Sequence, residues 1–429
     1  MGGEESVAAA RCVMWHALPI AGLVLIFALG TWRSINLGIL SLAATFIVGT
    51  LMTRESLADM YRGFPVDLLI LLVGVTYLFG VAASNGTIER LVAGAAARVR
   101  GRRALIPWVV FVLAALPTMA GALGSAAAAM LAPIALRLAE RCSLDRRMIG
   151  LMVLHGSACG NFSPLNALGA IVLQGAARSG FEVSATAVFL ANVGYNLVLG
   201  AAIFVWFGGL QLGKRAGPDP PIDGEAASTP LATTRAAHVS TLAALLLVAV
   251  LALGFGWSIG FVALLAAAAL HVLFPQSSQG AERRIPWDVV LLVCGIVTYV
   301  SALQRAGIVD AIGSGIVALD APLLSALLIC AVGAVTSAFA SSAGILGAMI
   351  VLAAPFMAQG AVSVTGLVIA LAISATVVDS SPFSTAGALV VANATVAERT
   401  HVYRGLLAWA AVMVLTAPLA TWLLFVVLV

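Results

Sequence analysis

The sequence predicts an all-α polytopic membrane protein made of two similar halves. Three observations carry this expectation. The chain of 429 residues is 62% hydrophobic and only 9% charged, too little charge to cover a soluble domain. Its apolar segments recur at about 17–25 residues, the length of a helix that crosses a bilayer. Two distant stretches also match each other, "FPVDLLILLVG" at 64–74 and "IPWDVVLLVCG" at 285–295.

Spans fall at about 18–32, 36–52, 65–84, 148–178, 184–208, 238–254, 257–274, 286–303, 363–396 and 403–428. The run from Leu18 to Leu29 follows Arg11 and has the look of a signal peptide. The repeat needs it as its first helix, so we read it as a span. Two apolar regions, 104–139 and 321–358, are too long for one helix. They break at "PTMAGALGS" (117–125) and "TSAFASSAG" (336–344). Each half of such a region falls short of a crossing, which predicts re-entrant hairpins with tips inside the membrane.

Residues 211–236 hold Pro218, Pro220, Pro221 and Pro230 and read as a cytoplasmic linker. The linker separates a first repeat, 1–210, from a second, 237–429. Asp67 pairs with Asp288, and Ser163-Pro164 with Ser381-Pro382. Each half has five crossings, an odd number, so the second is expected to be inverted relative to the first. Inverted 5+5 repeats with a hairpin and a broken helix in each half are a plan of secondary transporters.

Charge sets the expected orientation. With residues 90–103 in the cytoplasm, only Arg11, Arg54, Arg62, Arg178 and Arg305 of the 22 basic residues fall outside. Both termini are then external, in a bacterial cytoplasmic (inner) membrane. The net charge of +4 comes from loops beside apolar segments and predicts no nucleic-acid partner. Cys12, Cys142, Cys159, Cys294 and Cys330 are scattered, without metal or disulfide spacing. No cofactor is expected.

Two membrane segments carry polar, helix-breaking strings: "GNFSPLNALG" at 160–169 and "VDSSPFSTAG" at 378–387. Asn161 lies roughly 20 Å along a helix starting near Met148, close to mid-bilayer. Pro164 and Pro382 lack an N–H and disfavour helix at the preceding serine. Interrupted helices at corresponding positions point to a transporter's binding site. Four half-helices are expected to begin near the midplane, each with partial positive charge and free N–H groups. They suit a small anion without any arginine. Asp379 costs about 2.5–3.5 kcal/mol at the bilayer centre on insertion scales, so it calls for a cation or a proton. Carbonyls at the ends of the first half-helices, with Asp379, suit Na⁺.

With these residues on the page, the chain resembles the ion transporter superfamily, and most closely the dicarboxylate carriers of the malonate-uptake type. The divalent anion–sodium symporters (DASS) are more distant relatives. In those symporters the two loops carry Ser-Asn-Thr motifs that bind substrate carboxylate and, with the hairpin tips, Na⁺. The resemblance implies substrate contacts from Asn161, Ser163, Pro164 and Asn166 in the first loop. It implies Ser381, Pro382, Ser384 and Thr385 in the second. Na⁺ candidates are Gly121, Gly124, Ser125 and Asn161 in one half, and Ser337, Ser341, Ser342 and Asp379 in the other. Both loops depart from the strict Ser-Asn-Thr pattern, which leaves Na⁺ stoichiometry and a proton on Asp379 open. The resemblance also implies a homodimer and an elevator-like motion.

The expected function is therefore secondary active transport of small dicarboxylates, malonate or C4 acids, by Na⁺-coupled alternating access. The expected partners are that small anion and membrane lipid. A Na⁺/H⁺ antiporter on the same scaffold is the alternative. A membrane-embedded hydrolase using His155 and Ser157 ranks below it, because residues two apart on a helix do not face each other. Neither GxSxG nor HExxH occurs. Asn192 and Asn196, four apart, share a helix face and suit interhelical hydrogen bonds. The Thr-Tyr pairs at 76–77 and 298–299 recur without an assignable role.

Overall fold

The computed structural model describes residues 22, 25, 26, 29, 35–87, 90, 103–212, 235–308, 321–338 and 342–428. These residues form helices and connecting loops, with no strand among them. The first half supplies α1 (Leu37–Val48), α2 (Val66–Ser84), α3 (Ile106–Met119), α4 (Gly124–Arg141), α5 (Arg146–Cys159), α6 (Ala167–Arg178) and α7 (Ala185–Trp206). The second supplies α8 (Arg235–Phe255), α9 (Ile259–Leu273), α10 (Trp287–Arg305), α11 (Pro322–Ser337), α12 (Ser342–Leu352), α13 (Val364–Val377), α14 (Thr385–Ala392) and α15 (Arg399–Trp422).

Among the described residues, six helical stretches are long and apolar enough to cross a membrane. The chain is a multi-pass membrane protein. Apolar side chains such as Leu246, Leu265 and Leu415 stand exposed on its outer faces. The expected spans at 36–52 and 257–274 appear as the shorter apolar helices α1 and α9. Most of the expected first span, of the basic segment 90–103 and of the linker 211–236 lies outside the described residues. Cys142, Cys159, Cys294 and Cys330 are free and buried.

The matched strings start alike. Pro65 and Pro286 precede α2 and α10 with nearly equal backbone angles, φ −83 and ψ 76 against φ −79 and ψ 76. Proline is tolerated there because the first N–H groups of a helix have no intrahelical partner. The glycines that end these strings let the halves interlock. α2 crosses α9 where Gly74 meets the backbone of Gly260, and α10 crosses α1 where Gly295 meets that of Gly38. A Cβ at any of the four would run into the facing helix's backbone. Close approach through small residues is how membrane helices gain packing without a hydrophobic driving force. The result is a frame of α1, α2, α9 and α10 drawn from both halves.

The two expected hairpins and two expected broken spans each resolve into helix pairs. α3 and α4 meet at a tip where Gly121 has φ +120, a conformation that strains any residue with a Cβ. α11 and α12 form the second pair, with residues 339–341 outside the described set. α5 is followed by α6 after a break at 160–166. α13 is followed by a 3-10 turn at Val378–Ser380 and then α14.

Outside the membrane segments, Asp145 starts α5. Its side chain accepts from Arg147 N at 2.8 Å and pairs with the Arg147 guanidinium. Burial alone would raise this carboxyl. The hydrogen bonds from Arg147 outweigh burial and hold it below its ordinary value of 3.8.

Candidate binding site between the broken helices

α5 and α13 are the central rods of the protein. Every residue from Met148 to Cys159 and from Gly366 to Val377 is buried. Helices buried around their whole circumference belong in such a core, their few polar groups hydrogen-bonded. Each rod ends inside the protein, where free backbone groups are most costly.

The chain meets that cost with the same devices in both breaks. Ser163 Oγ accepts from Leu165 N at 3.3 Å, and Ser381 Oγ from Phe383 N at 3.2 Å. Asn166 caps α6 by accepting from Leu168 N at 2.9 Å. Ser384 caps α14 by accepting from Gly387 N at 3.0 Å. Such caps contribute about 0.5–2 kcal/mol each. A Cβ at Gly169 would lie 2.7 Å from Ser163 O, and one at Gly387 would overlap Ser381 O. The Ser-Pro turn, the cap and the following glycine are therefore structural repeats as well as sequence repeats.

The loops also hold the hairpins. Ser163 Oγ donates to Met119 O at 2.5 Å. Asn166 Nδ2 donates to Thr118 O and Ala122 O, both at 2.8 Å. These bonds tie the loop to the last carbonyls of α3 and to the hairpin tip. In the second half Ser337 Oγ donates to Ser342 Oγ at 2.8 Å, and Ser342 Oγ to Asp379 Oδ1 at 2.5 Å. Ser384 Oγ donates to Ser381 O at 2.8 Å and to Asp379 O.

Between the rods lies a cavity of about 90 Å³. Gly124, Ser342 and Thr385, the first residues of α4, α12 and α14, line it, as does Leu168 in the first turn of α6. All four half-helix N-termini thus reach one space. Asn161 lines it from the first half and Asp379 from the second, with Ser125 and Ser384 beside them. Among the described residues of its wall, Asp379 is the one acidic side chain, and none is lysine or arginine. The amide oxygen of Asn161 is buried without a hydrogen-bond partner. An unsatisfied buried acceptor costs about 1–3 kcal/mol, which a donor or cation in the cavity would relieve. Among the described residues no three His, Cys, Asp or Glu side chains gather as a metal cluster.

The residues expected from the sequence divide by location. Gly124, Ser125, Asn161, Ser342, Asp379, Ser384 and Thr385 line the cavity. Gly121, Ser163, Pro164, Asn166, Ser337, Ser381 and Pro382 lie off its wall. Ser341 falls outside the described residues. The wall also includes Leu154, Ala158, Thr376 and Ser380, which the sequence reading did not single out. Their spacing is the signal. Leu154, Ala158 and Asn161 lie four and three apart, and Thr376 and Ser380 lie four apart, one helix face in each rod.

Ser157 and His155 do not form a dyad. Ser157 Oγ donates to Leu154 O at 2.8 Å, and the His155 ring nitrogens bond to Asn196 and Trp409.

Two helix pairs and two broken helices thus surround one polar cavity. Known proteins share parts of this arrangement. Residues 14–161 match the family model of the N-terminus of the dicarboxylate carrier protein MatC. The fold is that of the YdaH transporter of Alcanivorax borkumensis, described as having an unusual topology. That match has a TM-score of 0.61 at 15% identity and covers 94% of this chain and 98% of the other. No curated protein matches the chain. The chain thus resembles a dicarboxylate carrier protein over about its first third and a transporter in its overall fold.

Proposed function

We propose that the chain is a secondary active carrier of small dicarboxylates, malonate or a C4 acid, coupled to Na⁺. The observation that supports it most is the cavity, where four helix N-termini and a single carboxylate meet. Each N-terminus contributes about half a positive charge and free N–H groups to an anion. A cavity of about 90 Å³ is well above the room one water needs and leaves space for a small organic anion. The match to a dicarboxylate carrier model supports the same substrate class.

The coupling ion follows from charge. A dianion beside Asp379, with no lysine or arginine among the described residues of the wall, needs a cation bound with it. Asp379 and the unpartnered Asn161 oxygen offer hard oxygen ligands of the kind Na⁺ takes. Asn161 is the neutral counterpart of Asp379, so the second half provides the stronger cation site. Proton coupling through Asp379 is the competing form of this reading.

The remaining parts of the proposal concern motion and placement. All cavity residues except Val289 belong to the hairpins and broken helices, while Val289 sits on α10 of the frame. That supports a body carrying its substrate past a fixed frame, as an elevator does. The odd number of spans per half supports inverted repeats. The distribution of basic residues supports external termini in an inner membrane. The family resemblance supports a homodimer.

A thermal-shift screen of purified protein against C3–C6 carboxylates, with and without Na⁺, tests substrate and ion together. Stabilisation by a dicarboxylate only when Na⁺ is present is the expected result. Stabilisation by Na⁺ or by acid alone, with no response to any carboxylate, would favour the antiporter instead.

A further inference from the structure

His155 is 1% exposed, and Asn192 and Asn196 are fully buried. They join Trp409 in a hydrogen-bond chain, and His155 also stands on the cavity wall. Trp409 Nε1–H donates to His155 Nε2 at 2.8 Å. His155 Nδ1 lies 3.2 Å from Asn196 Oδ1. Asn196 Nδ2 donates to Asn192 O at 3.0 Å and to Asn192 Oδ1 at 2.9 Å. Asn192 Nδ2 donates to Ala158 O at 2.9 Å and Cys159 O at 3.0 Å, the last carbonyls of α5 before Asn161.

The direction of this chain is fixed at one end. An indole N–H can only donate, so His155 Nε2 must be a bare acceptor. The single proton of a neutral imidazole then sits on Nδ1, where Asn196 Oδ1 accepts it. Every donor from Trp409 to Asn192 points toward the end of α5, and bonds aligned this way strengthen one another. Protonating His155 would set an Nε2–H against the Trp409 N–H and break the chain at its first step.

Among the described residues, the ring bonds to Asn196 and Trp409 and to no carboxylate. Asp379 shares the cavity wall with His155 but bonds to Ser342. α3, α13 and α14 carry no titratable side chain. α7 carries only Tyr195. The titratable side chains of α15 lie in its first turns, at Arg399, His401, Tyr403 and Arg404, and those of α4 at its far end, at Arg137, Glu140 and Arg141.

We propose that this chain locks His155 as a neutral Nδ1–H imidazole, so that it acts as a positioning residue and not as a proton carrier. It braces the carbonyl end of α5, next to Asn161, against the last helix of the other half. The two halves of the site are thereby held in one register. The role in transport rests on the carrier reading above; the tautomer does not.

The test is histidine-selective ¹⁵N NMR of the full chain in lipid nanodiscs from about pH 5 to pH 8, where an unrestrained histidine titrates. Of the five histidines, one is expected to hold the Nδ1–H tautomer unchanged across that range, with a cross-peak to the Trp409 indole. Trp409→Phe keeps the ring and removes the donor. In that variant His155 is expected to titrate, and uptake of labelled malonate to fall on the acid side. Its KM should rise roughly 3- to 20-fold, the scale of one interhelical hydrogen bond. A His155 that titrates in the wild type, or carries its proton on Nε2, overturns the proposal. So does a folded Trp409→Phe with an unchanged spectrum and pH profile. Should Trp409→Phe not fold, the wild-type spectrum decides. Loss of malonate uptake with the tautomer intact would count against the carrier reading and leave the lock standing.

Discussion

Ser342 Oγ donates to Asp379 Oδ1 at 2.5 Å, and Ser337 donates in turn to Ser342. The second hairpin is thus bonded to the one carboxylate on the cavity wall. A hydrogen bond to a charged group contributes about 1.5–3 kcal/mol. Ser342→Ala is expected to weaken Na⁺ activation of uptake by roughly 10- to 100-fold. Asp379→Asn should remove Na⁺ dependence altogether. Sodium titrations of transport in each variant are the check.

Asn161 occupies in the first break the place that Asp379 holds in the second, and its Oδ1 is buried and unpartnered. Asn161→Asp would make the two half-sites alike. A second carboxylate beside the substrate repels the dianion unless another cation enters. The expected outcome is weaker malonate binding at low Na⁺ that recovers as Na⁺ rises, with a steeper Na⁺ dependence. Equal malonate affinity at every Na⁺ concentration would show that Asn161 does not face the bound ions.

Asn166 is fully buried and makes three hydrogen bonds, two to the first hairpin and one as the cap of α6. Asn166→Ala removes both bonds to the hairpin and the cap on Leu168 N. A loss of about 2–4 kcal/mol in stability is expected from the lost cap and hairpin bonds together. Thermal unfolding should show it as a drop in Tm even without substrate. Ser384→Ala, which removes the equivalent cap of α14, is expected to lower Tm less, because Ser384 does not hold a hairpin.

Asp145 gives a pH signature outside the membrane segments. Its carboxyl lies below its ordinary value of 3.8 because Arg147 bonds to its charged form. A depressed carboxyl stabilises the fold above the unfolded value, and that contribution is lost as pH falls through the folded value. Asp145→Asn should therefore lower Tm at about pH 6, with the gap to wild type closing as pH falls below the ordinary value of 3.8. A gap that stays constant across this range would mean that the cap geometry matters and the charge does not.

Much of this arrangement was legible in the residues. Pro164 and Pro382 mark the two breaks because proline removes a donor in any context. "PTMAGALGS" marks the first hairpin tip because glycine alone tolerates the φ of +120 found at Gly121. The fate of the polar residues beside these breaks was harder to read. Serine and asparagine serve equally as ligands, as caps and as braces. Ser163 and Asn166 turn toward α3, while Asn161 faces the cavity. Only the tertiary position of the hairpin separates the two outcomes.

The interlock of the halves depends on partners distant in sequence. Gly74 and Gly295 stand at the ends of the matched strings, yet nothing local says that they pack on Gly260 and Gly38. The Thr-Tyr pairs show the same limit. Thr76 and Thr298 bond back to Leu72 O and Cys294 O within their own helices. Tyr77 instead reaches His271 Nδ1 on α9 at 2.7 Å, while Tyr299 is fully buried in its own cluster. Equal sequence positions thus meet unequal surroundings.

The central claim is that the cavity between Asn161 and Asp379 carries a small dicarboxylate together with Na⁺. Uptake of ¹⁴C-malonate into proteoliposomes, under an inward Na⁺ gradient and then with Na⁺ equal on both sides, tests it most directly. The account predicts accumulation above equilibrium with the gradient, none without it, and loss of accumulation in Asp379→Asn. Accumulation driven equally well without Na⁺, or unchanged in Asp379→Asn, would contradict it.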